Sequence, residues 1–299
     1  MNLNEEIEYA KKLYEWGYIP EPEIWKCQGN NFSIQSYNAS KTSGYIFRSN
    51  DTKCRWRFPI RINSFFDKHP YISLRLCSEI IKCCICYEFN SVKAKKYINE
   101  EKHRTVSLNV IRKVYQSIRE TIYKYLRFEY LTDKLATENQ NQIFSVDESE
   151  FTKNAKKENL WVLGIINNQT KEFRLETSTK RDAATKTLFI KNFVDKGNTI
   201  ITDGWGAYQN LTNEGYQHDV HIHGGGDFGF GLHSTSIIES LWNAIKGKIK
   251  NTYRIILSHN FVSYLREAEW KYKNREKSND GKIKAFFECC KIFKWCIWC

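Results

Sequence analysis

The chain has 299 residues, 41% of them hydrophobic, and a net charge of +12 from 46 Lys and Arg against 34 Asp and Glu. That length and apolar content exclude a disordered chain and allow one large or two modest domains, while the basic balance favours a polyanionic partner without identifying it. No apolar run reaches a membrane span and the stretch Met1 to Gly17 is charged throughout, so the expectation is an intracellular protein with mostly reduced thiols among its ten cysteines.

Asn4 to Trp16 reads as a helix, with Ile7, Ala10, Leu13 and Tyr14 on one face and Gly17 as its stop. Pro20 and Pro22 break the chain, and the stretch to Phe66 is irregular with short strands around SGYIF and CRWRF. Cys27 and Cys54 fall here, but neither has a second Cys two residues away. A closed tetrahedral zinc site needs four ligands, so zinc is not expected. His69 or the cluster Cys83, Cys84 and Cys86 could add ligands only at spacings that give no support. Ile72 to Tyr87 reads as a helix whose cysteines act as small core residues. Ser91 to Asn99 forms a second helix and Ser107 to Leu131 a third. Ile111, Ile118 and Ile122 of the third face inward, while Arg112, Lys113 and Arg119 lie on its basic side. Helix, turn and basic helix is compatible with a helix-turn-helix DNA reader, and equally with a helical linker carrying a solvated face. The polar stretch Thr132 to Gln142 reads as a domain boundary.

Ile143, Phe144 and Val146 form a buried strand that ends in Asp147. Leu160 to Asn167 and Glu172 to Glu176 read as a hairpin, Lys180 to Val194 as a helix with Ala183, Thr187, Phe189 or Ile190 and Phe193 inward, and Thr199 to Thr202 as a strand that delivers Asp203. Carboxylates at strand ends open into the crevice where α/β sheets place their sites. Glu148 is on the opposite strand face from Asp147, and its replacement by Ala should be far milder for activity than replacement of Asp147. His218 to Leu232 reads as a Gly-rich loop. His218, Asp219, His221, His223 and Asp227 suggest a metal cluster, but His221 and His223 cannot both reach the Asp147 crevice unless the loop folds back. From Thr235 a helix runs with Ile238, Leu241, Trp242, Ile245 and Ile249 on one stripe. Glu239, Asn243, Lys246 and Lys250 lie along its edge. Phe286 to Cys299 reads as an apolar tail. Its CxxC at Cys296 and Cys299 follows Cys289 and Cys290, whose adjacency suits one tetrahedron poorly.

Three blocks in order, SVDES, ITDGWGAY and HSTSIIESLWNAIK, resemble the DDE catalytic domain of Merlin superfamily transposases and their bacterial insertion-sequence relatives. The gap from Asp203 to Glu239 is 239 − 203 − 1 = 35 residues, close to the family's usual separation. The resemblance covers about Ile143 to Asn274, takes in TYRIILSHNFVSYLREAEWKYKNR as a closing helix, and extends more weakly over Trp25 to Phe66, where PIRINSFFD matches well and the zinc ribbon is degraded. It implies an α/β, ribonuclease H-like catalytic domain at 143–275. Ahead of it come a degenerate zinc-ribbon-like segment at 1–70 and a helical DNA-binding region at 71–135, and a Cys- and aromatic-rich tail follows at 276–299.

The resemblance also implies that Asp147, Asp203 and Glu239 are catalytic and hold Mg²⁺ or Mn²⁺, two ions in all. Lys246, Lys250 and Arg254 would hold phosphates along the same flank, and His223, His233 and Asn243 would line the pocket. His233 lies six residues before Glu239, one more than expected. The implied partners are double-stranded DNA, as terminal inverted repeats and target, and further copies of the chain, since two ends need two active sites. The implied activity is cut-and-paste transposition, in the nucleus of a eukaryote or otherwise in the cytoplasm. A transposase-derived DNA-binding protein without catalysis and a metal-dependent nuclease without strand transfer are the alternatives.

Overall fold

The computed structural model describes residues 3–20, 32–36, 45–50, 57–138, 140–153, 159–203, 208, 210–221, 234–252 and 260–291. The chain divides into two compact units, residues 1–125 with 276–299 and residues 126–275. The division falls inside a long helix rather than in the polar stretch Thr132 to Gln142. No helix among the described residues is long and apolar enough to cross a membrane.

The first unit contains α1 (Leu3–Glu15), the strands β1 (Phe32–Ser36), β2 (Tyr45–Ser49) and β3 (Arg57–Pro59), and the helices α2 (Leu74–Ile85), α3 (Ser91–Glu100) and α4 (Leu108–Thr132), the last up to Tyr125. The strands form an antiparallel sheet in the order β1-β2-β3. Ser73 caps α2 and Asn90 caps α3, each side chain accepting from a first-turn N–H. Residues 101–107 join α3 to α4, a longer link than the three to four residues typical of a helix-turn-helix. The segment PIRINSFFD has a structural role through Arg61. This arginine is buried, and its guanidinium donates to the carbonyls of Phe66, His69 and Ile72 at 3.4, 3.0 and 2.7 Å.

Cys77, Cys83 and Cys84 of α2 are buried, and burial pushes the Cys77 and Cys83 thiols up to about 12, as suits inert core residues. His69 is also buried, which pulls its imidazole down to about 4. The tail contains a helix the sequence reading did not expect, α8 (Asn279–Lys291), whose Phe287 stacks on Tyr18 at 3.9 Å. Cys27, Cys54, Cys296 and Cys299 lie outside the described residues.

The second unit is built on a five-stranded mixed sheet in the order β6-β5-β4-β7-β8. Its strands are β4 (Ile143–Lys153), β5 (Asn159–Asn167), β6 (Phe173–Ser178), β7 (Thr199–Asp203) and β8 (Gln217–His221). β5 runs antiparallel to both β4 and β6, whereas β7 is parallel to β4 and β8 is parallel to β7. Helix α5 (Ala183–Phe193) follows β6. Helices α6 (Ser236–Thr252) and α7 (Phe261–Lys273) follow β8.

Side chains alternate between the two faces of a strand. Phe144, Val146, Leu163, Ile165 and Ile200 join Phe189, Ile190 and Phe193 of α5 in one core. Val162, Ile166, Phe173 and Leu175 join Ile238, Leu241, Trp242 and Ile245 of α6 and Phe261 and Leu265 of α7 in the other. The expected stripe of α6 is the buried one.

Two details differ from expectation. β8 occupies the start of what reads as a Gly-rich loop. On α5 the fully buried polar residue is Lys186, while Thr187 is only half-buried.

Candidate active site

The parallel pairing of β4 with β7 matches Ser145 with Ile201. Two residues on, the same register brings Asp147 level with Asp203, since 147 − 145 = 203 − 201. β7 and β8 then match Asp203 with His221. Asp147, Asp203 and His221 therefore form a row across three adjacent parallel strands, all on the face that α6 covers. Each sits at or near the carboxyl end of the paired region, where a parallel sheet opens.

Asp147 is half-buried. Burial pushes its carboxyl up to about 6, and the carboxylates of Glu148 and Asp203 push it the same way. The indole N–H of Trp242 and the backbone N–H of Glu148 oppose that rise. Trp242 donates to Asp147 Oδ2 at 2.9 Å across 95 residues of chain. His221 Nδ1 is buried and has no hydrogen-bond partner among the described residues.

Helix α6 is tied to β4 at two points. Ser145 Oγ donates to the carbonyl of Ser234, just ahead of the helix, at 3.1 Å. Trp242 reaches Asp147, two residues further along the same strand face. Glu239 lies between these ties, in the first turn of α6 and one turn before Trp242, with its side chain exposed. A carboxylate in that turn is favoured by the positive end of the helix dipole. Asn243, Lys246 and Lys250 are exposed on the same helix, and Lys246 Nζ sits 5.4 Å from the centre of the Phe151 ring. In the first unit Arg112 and Lys113 are exposed and Arg119 is half-buried on α4. His223, His233 and Arg254 lie outside the described residues.

The opposite face of β4 carries a different kind of cluster. Glu148 accepts from Lys186 Nζ at 2.7 and 2.8 Å, from Arg181 at 2.8 Å and from the Tyr208 hydroxyl at 2.8 Å. Burial alone would raise its pKa, but hydrogen bonds from Lys186 and Arg181 outweigh that and hold it below the usual range. Burial pulls the Lys186 ammonium down in turn, against the pull of Glu148. The predicted strand face of Glu148 is correct. The residue is also the centre of a buried charge cluster, so its Ala substitution bears on stability, a separate matter from the milder effect on activity expected of it. Tyr208 lies five residues past Asp203, so Glu148 also ties the chain beyond β7 back to β4.

Residues 137–273 match the ISXO2-like transposase domain. The match spans 273 − 137 + 1 = 137 of the 299 residues and falls within the second unit, the one that holds Asp147, Asp203 and Glu239. This segment is therefore similar to a DDE-type transposase domain, and the first unit is not covered by it.

Among solved structures, the magnesium complex of the HTLV-2 integrase catalytic core domain in its dimeric form is similar at 13% identity, with a TM-score of 0.32. It covers 44% of this chain and 84% of its own. An intasome of simian T-cell lymphotropic virus bound to the PP2A regulatory subunit B56 gamma is similar at 14% identity, with a TM-score of 0.31 and coverage of 47% and 51%. Likenesses at such scores carry no argument about this chain. No curated protein matches it.

Sequence reasoning missed the row position of His221, because a run with Val220 as its only apolar residue gives no strand signal. It also treated Trp242 as core alone.

Proposed function

We propose that residues 143–275 form a ribonuclease H-like DDE catalytic domain and that the protein is a DNA transposase. It would cut at the ends of an element and join the freed 3′-hydroxyl to target DNA. The observation that carries this reading is the parallel register of β4 and β7, which extended two residues brings Asp147 level with Asp203, beneath a helix whose Trp242 donates to Asp147 and which bears Glu239 one turn earlier. A five-stranded sheet with three antiparallel strands followed by two parallel ones supports the ribonuclease H-like reading. The transposase-domain match supports the chemistry, and the three sequence blocks support the finer Merlin-type assignment.

Among the described residues no group of three His, Cys, Asp or Glu is gathered closely enough to hold a metal ion. Asp147 and Asp203 nonetheless fit a hard divalent cation in donor type and in charge. They are oxygen ligands on one face, and the elevated pKa of Asp147 records burial and a repulsion that a cation would relieve. Asp147, Asp203 and Glu239 would hold Mg²⁺ or Mn²⁺. Such ions, two in this reading, would supply an activated water or 3′-hydroxyl and stabilise the leaving oxygen.

The chain does the rest. Trp242 keeps Asp147 in place, and His221 offers an imidazole nitrogen beside Asp203. Lys246 and Lys250 would hold DNA phosphates, and Arg112, Lys113 and Arg119 of the first unit would do the same. Two element ends would require a dimer or a higher assembly on double-stranded DNA.

The test is nicking of DNA that carries the terminal inverted repeats, with Mg²⁺, Mn²⁺ or EDTA. Asp147→Ala, Asp203→Ala and Glu239→Ala should each lose cleavage and keep DNA binding. Cleavage by any purified single variant would refute the assignment. Salt-dependent binding without nicking by the parent protein would favour a non-catalytic DNA-binding protein.

A further inference from the structure

We infer that Trp242 is a positioning residue for Asp147 and that Gly164 is the notch that lets it reach. This rests on the reading of Asp147 as a cation ligand. The indole is a donor only, so its 2.9 Å contact with Asp147 Oδ2 has a single sense, N–H to carboxylate. The donor is also neutral. It holds one oxygen of Asp147 without adding the positive charge that would compete with a cation. No cationic side chain is among the described partners of Asp147, whereas Glu148, next along the strand, is neutralised by Lys186 and Arg181 on the other face. Strand β4 thus separates a carboxylate filled by protein cations from one left for an external cation.

Gly164 pairs with Asp147 across β4 and β5. A Cβ at Gly164 would lie 2.6 Å from both Cη2 and Cζ2 of Trp242. The indole therefore lies against the bare backbone of β5 at the one position where the apolar run LWVLGII has no side chain. A rigid ring packed on both sides cannot yield as a flexible chain would, so glycine serves close approach here. Phe151 meets the ring edge-on at 5.9 Å, and Trp242 is 5% exposed. The same contact fixes the seating of α6 on the sheet and with it the placement of Glu239.

The experiment uses the full chain and Mn²⁺ as the probe. In metal-free protein the indole N–H resonance of Trp242, assigned by its loss in Trp242→Phe, should move when Asp147 becomes Ala. Mn²⁺ affinity, read by electron paramagnetic resonance, should fall roughly 10- to 100-fold in Trp242→Phe, the range for a lost partner behind a metal ligand. Gly164→Ala should reproduce that loss. Leu241→Ala removes packing from the same helix stripe without touching the donor. It should lower the melting temperature and leave Mn²⁺ affinity unchanged.

Wild-type Mn²⁺ affinity in Trp242→Phe, with binding abolished in Asp147→Ala, would overturn the positioning role and leave the site reading intact. Equal weakening in Leu241→Ala would overturn it too, by reducing the effect to packing. Wild-type Mn²⁺ binding in Asp147→Ala would overturn the site reading itself and this inference with it.

Discussion

Replacing Glu148 by Ala tests whether the charge cluster on the far face of β4 supports the fold around Asp147. The Lys186 side chain is 1% exposed and that of Glu148 4%. Glu148→Ala removes the carboxylate that faces the Lys186 ammonium in the core and the acceptor of the Tyr208 hydroxyl. Removing one partner of a buried ion pair costs roughly 3–5 kcal/mol, because the other charge stays desolvated. Each kcal/mol shifts the melting temperature of a unit of this size by about 2–4 °C, so the drop should be roughly 6–20 °C.

Differential scanning calorimetry at pH 7 measures it. Removing both charges, in Glu148→Ala with Lys186→Met, should recover much of the loss, since no unpaired ion remains. The deficit of the single variant should also shrink as pH rises toward about 10, where Lys186 gives up its proton in the unfolded chain as well. A Glu148→Ala protein that melts with the wild type would refute the reasoning. So would a double variant no better than the single one. Cleavage by the single variant should fail in step with its folded fraction, which separates Glu148 from residues that touch the reaction.

The raised pKa of Asp147 sets a pH dependence on the metal-free protein. A shift from 3.8 to about 6 is roughly 2 units, or about 3 kcal/mol at 1.36 kcal/mol per unit. The folded state binds this proton between those values and the unfolded state does not, so the penalty is absent below about pH 4 and full above about pH 6. Asp147→Asn in EDTA should therefore melt higher than the wild type at pH 8 and level with it at pH 3.5. A constant difference across that range would disprove the cause assigned. The Tyr130 hydroxyl donates to Glu269 Oε1 at 2.6 Å and accepts from Arg266 and from the Leu175 N–H, each at 2.8 Å. Tyr130→Phe leaves those buried groups short of a partner and should cost about 1–3 kcal/mol in urea unfolding. An unchanged midpoint would show that the network is not needed.

The sequence by itself determined the elements whose signals are local. Helices α2, α3, α4 and α6 and the β5–β6 hairpin fall within a few residues of expectation, because helical period, strand run and Ser or Asn caps act over a few residues. The three carboxylates could be singled out for the same reason: two end β-branched runs, and the third borders a helical stripe. β8 and α8 escaped notice. An edge strand such as QHDVH buries too little to show alternation, and its pairing with β7 comes from elsewhere in the chain. α8 has paired cysteines and charges that blur its stripe, and its aromatic contacts are with residues far away in sequence.

Only the tertiary structure decided what surrounds each acid. Glu148 and Lys186 are 38 residues apart, and Asp147 and Trp242 are 95 apart. Nothing in a local pattern distinguishes a solvated glutamate from one buried under a lysine, or a core tryptophan from one that hands its N–H to a carboxylate. Those differences come from desolvation and close packing, which exist only once distant segments meet.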